Sequence, residues 1–97
     1  MRNQDPSKPP LRLMRIERGG RGKYTVLDNR TGHWVTNDEP GGDNEHFVIM
    51  LKDRYARAAL LAYAEEAGKD GQTLYAEDIA ALANRAGPLH KLCKIPD

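Results

Sequence analysis

Few side chains in this chain are able to do chemistry, and their spacing limits what each could do. His90 and Cys93 stand three positions apart, which would put two metal ligands, or a thiol and a base, on one helical face. His33 and His46 would meet only if their segments paired. A structural zinc site wants four ligands, usually at paired short spacings, and a nucleophile wants a base and an orienting group in one pocket. Irregular spacing and a place in the tail meet neither demand. The carboxylate pairs Glu65/Glu66 and Glu77/Asp78 are adjacent in sequence. Neighbours on a helix diverge by about 100°, so these pairs do not converge on one substrate atom. The glycine-rich GGRGK at 19–23 precedes a strand pattern rather than a helix, which removes the phosphate-loop reading. The expectation is a protein that is not an enzyme and carries no metal and no cofactor.

Binding chemistry is better represented. Asp53-Arg54-Tyr55 opens a helical pattern, where free first-turn amides together with Arg54 and Arg57 could meet a phosphate and Tyr55 could stack on a base. Arg30 and Trp34, on a hairpin pattern upstream, complete this candidate ligand-binding set. The bland alternative makes the arginines solvent-facing helix residues and Tyr55 a packing residue. A second set, Arg12, Arg15, Arg18, Arg21 and Lys23, forms a basic arm that could hold DNA or RNA, with Tyr24 and Trp34 as stacking aromatics.

Charge distribution bears on that second set. The net charge is only +1, but residues 1–23 carry seven basic side chains against two acidic ones, and residues 24–50 carry one against five. The arm could attract a polyanion, fold back, or pair with a neighbouring subunit, and the acidic stretch beside it would repel a phosphate backbone. A hydrophobic fraction of 39% with 30% charged residues places the chain in the globular class, and 97 residues suffice for one domain. So small a core makes a homo-oligomer a reasonable expectation. The single cysteine excludes an intrachain disulfide, no apolar run approaches the ~20 residues of a membrane span, and MRNQDPSKPP lacks the apolar segment of a secretory signal. These features point to the cytoplasm and away from a membrane.

The elements that must position these residues follow from periodicity. Residues 1–22, with Pro6, Pro9 and Pro10, read as a disordered or extended basic arm, and LRLMRIE within it is either an edge strand or none. Residues 23–87 read as an α+β domain. Lys23–Asp28 and His33–Asn37 alternate as strands around Asn29-Arg30-Thr31-Gly32, with Gly32 suited to positive φ. DEPGGDNE at 38–45 reads as a flexible acidic loop, and His46–Leu51 as a central third strand. Asp53 suits the N-cap of a first helix running to about Ala67, with Gly68 as its stop and Ala56, Ala59, Leu60, Tyr63 and Ala67 sharing an apolar face. Leu61 falls on the far side, a candidate dimer contact. A second helix starts near Thr73 and ends before Gly87-Pro88, with Leu74, Ile79, Leu82, Ala83 and Ala86 as its apolar set and Glu77 and Asp78 near its positive end. Residues 88–97 form a tail that either docks as a last turn or extends to a partner. The predicted fold is α+β: a small three-stranded, mostly antiparallel sheet followed by an α-hairpin packed on one face.

The run HFVIMLKDRYARAALLAYAEEAG, continuing to AEDIAALANRAG, resembles a loose class of small phage and prophage proteins. These share an apolar strand, an acidic residue, an Ala-rich helix and a second short helix. Phe47, Val48, Ile49, Leu51, Asp53, Ala56, Arg57, Ala58, Ala59, Leu60, Ala62, Tyr63 and Ala64 carry the likeness, over about the last half of the chain. The resemblance implies a mobile-element accessory protein, a stoichiometric binder that inhibits or sequesters a host defence component, and it carries no functional residues across. Two mechanisms fit: masking a host protein, or capturing a small phosphate-bearing ligand. The alternative is a nucleic-acid-binding accessory protein that uses the arm.

Overall fold

A computed structural model describes residues 24–96, so the readings placed on the basic arm lie outside the described residues. The chain divides into two compact units, Met1–Val48 and Ile49–Asp97.

In the first unit, β1 (Leu27–Asp28) and β2 (His33–Trp34) pair antiparallel, with Leu27 opposite Trp34 and Asp28 opposite His33. The Val35 amide extends the ladder by donating to the Val26 carbonyl at 2.7 Å. The turn falls where the glycine puts it. Gly32 takes φ +75° and its amide donates to the Asp28 carbonyl at 2.8 Å. Any other L-residue there would meet the left-handed penalty.

The third strand expected at His46–Leu51 does not form: among the described residues the sheet has two strands. An apolar run needs a ladder partner to become a strand, and the hairpin's arms are only two residues each. The run instead has no regular structure and turns at its end, where the Asp53 amide donates to the Met50 carbonyl at 2.9 Å, and Phe47 is 62% exposed. The acidic loop is also more ordered than its composition suggests. The Asn44 amide donates to the Asn37 carbonyl (2.9 Å), the Asn44 side chain to the Thr36 carbonyl (2.8 Å), and the Gly41 amide to Glu45 (3.0 Å). Asn37 itself adopts φ 59°, a conformation that asparagine tolerates better than most residues.

The second unit is a helical hairpin closed by its own tail. Helix α1 (Ala56–Lys69) and helix α2 (Thr73–Ala83) pack along each other. Alanine, leucine and glutamate make α1 a strong intrinsic helix. It runs through Gly68 rather than stopping there. Its terminator is Gly71 at φ +84°, whose amide donates to the Gly68 carbonyl (2.9 Å) while the Gln72 amide reaches the Ala67 carbonyl (3.0 Å). This pair of bonds is the Schellman arrangement, and it needs the positive-φ residue two positions beyond the last helical one. Asp53 holds the approach to α1 rather than its cap: its carboxylate accepts the Tyr55 amide at 2.8 Å, and the helix starts three residues later.

Burial in this unit is carried by small residues. Ala56, Ala83 and Ala86 are fully covered and Ala64 nearly so, and among the described residues no large side chain is fully buried. The inward stripe of α1 is Ala56 and Ala64, buried, with Leu60 and Ala67 half-buried, and it is turned slightly from the expected face so that Ala59 and Tyr63 are exposed. On α2, Leu74 departs from its expected place in the core and is 78% exposed, while Ile79, Leu82 and Ala83 face inward. Glu77 lies beyond the first turn of α2, which holds no acidic residue.

After α2 the chain turns back. Gly87, at φ +58°, begins a single 3-10 turn (Gly87–Leu89), and its amide donates to the Leu51 carbonyl at 2.8 Å. The tail then docks beside the segment leading into α1. The Lys94 amide donates to the Lys52 carbonyl and the Arg54 amide to the Lys94 carbonyl, both at 2.9 Å, forming one parallel bridge between Asp53 and Lys94.

Candidate functional site

An open concavity of the helical unit lies at the elbow between α1 and α2. Tyr63, Glu66, Ala67 and Asp70 recur at the three- and four-residue spacing that lines up one helix strip. Gln72 follows the Schellman turn, and Tyr75 sits in the first turn of α2. Together these residues line an open hollow of about 310 Å³. The rings of Tyr63 and Tyr75 meet edge to face, with centroids 5.9 Å apart and planes at 73°. Their hydroxyls are hydrogen-bonded to each other at 2.9 Å. This geometry suits the opposed charges of ring edge and ring face, and the hydroxyl bond fixes both rings. The bond to Tyr63, with Tyr63's charge and slight burial behind it, raises the Tyr75 phenol above its ordinary range. On the rim, the Lys69 ammonium donates to Glu66 at 3.1 Å. The Asp70 carboxylate makes no hydrogen bond or ion pair among the described residues.

The residues singled out from sequence fall elsewhere. Arg54 and Tyr55 are exposed beside the start of α1, with Tyr55 54% accessible. Arg57 is half-buried, and its Nη1 donates to the Ala83 carbonyl at 2.8 Å. It therefore ties the last turn of α2 to the first turn of α1, a favourable place for a cation next to unsatisfied carbonyls. Arg57→Met should lower stability by about 1–2 kcal/mol, the usual cost of removing a charged partner from a covered carbonyl. Amide exchange at Asn84–Ala86 should quicken with it. An unchanged urea midpoint would mean the guanidinium holds nothing there.

In the first unit, Arg30 is bound to Asp28 through its backbone amide (2.9 Å), Nε (3.4 Å) and Nη2 (3.3 Å). Those bonds hold the Asp28 carboxyl below the usual carboxylate range. Trp34 is 62% exposed on β2, an outward aromatic rather than a core one. Arg12, Arg15, Arg18, Arg21 and Lys23 lie outside the described residues. His90 does not present a free ligand pair with Cys93, because its Nδ1 accepts the Leu92 amide at 2.9 Å. Among the described residues no group of three or more His, Cys, Asp or Glu could hold a metal ion. No helix there is long and apolar enough to cross a membrane.

Sequence reasoning placed Tyr63 in the core and passed over Tyr75. The spacing of Tyr63, Glu66 and Asp70 was the available signal. Seeing that Tyr75 joins them requires the turn geometry, which depends on which of two glycines ends the helix. No protein family, curated protein or solved structure matches the chain.

Proposed function

We propose that this chain is a non-enzymatic binding protein, a phage or mobile-element accessory that inhibits a host defence component by stoichiometric masking, with the helical unit as the contact face. The phage setting follows from the resemblance of residues 46–68 and 76–87. The observation that carries the masking reading is Leu74, 78% exposed on the side of α2 away from its alanine seam. Tyr75 follows it in the first turn of α2 and is bonded to Tyr63 across the elbow, and both rings are about half exposed. Single exposed leucines are ordinary, but an outward leucine in the same helical turn as one member of a fixed aromatic pair has the composition of a protein-contact patch. Capture of a phosphate-bearing ligand at Arg54 and Arg57 has less support, since one Arg57 nitrogen already serves the Ala83 carbonyl.

The test is affinity capture from nuclease-treated host lysate, comparing the full chain with Leu74→Glu. The expected result is one host protein retained at fixed stoichiometry and lost at least about tenfold with the variant, whose melting temperature stays unchanged. Retention that survives Leu74→Glu would overturn the patch. Binding that requires nucleic acid would transfer the function to the basic arm.

A further inference from the structure

We infer that the hollow between Tyr63 and Tyr75 is a cation site that takes the alkylammonium group of a lysine side chain. It rests on the masking reading only for the identity of the partner, since the site itself can be tested without one.

Four features of the hollow share one electrical sign. Tyr63 and Tyr75 line the hollow, and although their edge-to-face contact occupies one ring face, the π-surface that remains attracts a cation within about 6 Å of a ring centroid. Glu66 and Asp70, four residues apart on α1, are like charges at a spacing where they repel. Both sit in or just past the last turn of α1, at the negative end of the helix dipole. An acid is unfavourable at that position, so the arrangement costs the fold something that a cation would return. Lys69 partly does so already, pairing with Glu66 and leaving Asp70 unmatched. The rings are held in place by their mutual hydroxyl bond at 2.9 Å, so little ordering remains to be done on binding. The volume of about 310 Å³ is at the small end for ligand sites, enough for an ammonium on an alkyl stem. The Gln72 amide on the rim can bond to the peptide that carries the lysine.

The experiment follows the tyrosine ring resonances of the full chain by NMR, titrated with N-acetyl-lysine methylamide, with butylammonium, and with uncharged N-acetyl-norleucine methylamide. The expected result is saturable shifts at Tyr63 and Tyr75 with the lysine compound, weaker shifts with butylammonium, and none that saturate with the norleucine compound. Asp70→Asn should weaken lysine binding about three- to tenfold, and raised salt should do the same. Tyr75→Phe, which keeps the ring and drops the hydroxyl, should retain binding within about threefold. Equal saturation by the norleucine compound, or no effect of Asp70→Asn, would overturn the cation site. Tighter binding of butylammonium than of the lysine compound would overturn the lysine assignment in favour of free amines. Lysine binding that persists in a chain retaining no host protein would reject the masking partner alone. A partner held through Leu74 without lysine binding would reject only the hollow.

Discussion

Replacing Gly87 with alanine should cost about 3 kcal/mol, the largest loss expected from any single methyl group in the helical unit. Two separate causes add. At φ +58° an L-residue carries the left-handed strain of about 1–2 kcal/mol. The new Cβ would also stand 3.0 Å from the Arg57 Cβ, 3.1 Å from the Arg54 carbonyl oxygen and 3.1 Å from the Arg57 nitrogen. Two of those three atoms are backbone in or leading into the first turn of α1, and they cannot swing aside. The Gly87 amide would have to leave the Leu51 carbonyl for the clash to relax. Gly71→Ala is the control. Its φ is +84°, but nothing lies within 4 Å of its Cβ position, so only the conformational part, about 1–2 kcal/mol, should be lost. Urea midpoints for the two variants separate the causes. Equal losses would show that the close approach of Gly87 to α1 carries no energy.

Ala83→Leu should be nearly as damaging, at about 2–3 kcal/mol, and for the opposite reason to a cavity. Ala83 is completely covered, and its carbonyl is held by Arg57 at 2.8 Å. Three extra carbons there must push α2 away from its neighbours or adopt a poor rotamer. Ala81, two residues earlier, is exposed, and Ala81→Leu should change stability by no more than about 0.5 kcal/mol. Thermal melts of both variants give the comparison. If Ala83→Leu is neutral, the seam is loose, and the closeness of the helices does not depend on small side chains.

Much of the fold was legible where a single residue type forces a local outcome. Gly32 places the hairpin turn, and the start of α2 at Thr73 follows from the break in pattern before it. Misreadings arose where two residues of one type competed or where a partner was needed. Gly68 and Gly71 both offer a helix stop, and only the Schellman bonds decide between them. His46–Leu51 has strand composition, but composition cannot supply a neighbouring strand. Leu74 fits an apolar set by type and contradicts it by angle, because the inward face of α2 is set by alanines. The candidate site was the least legible part. Its residues look like solvated carboxylates and core aromatics until the elbow brings Tyr75 against Tyr63 at 5.9 Å.

The backbone bridge between Asp53 and Lys94 means that the helical unit begins and finishes at one place. A short linker joining those neighbouring segments, with a new break opened at the exposed turn around Gly71, would thread the same two helices in reversed order. Connectivity is thus separable from packing in this unit, and a circularly permuted version should keep its shape.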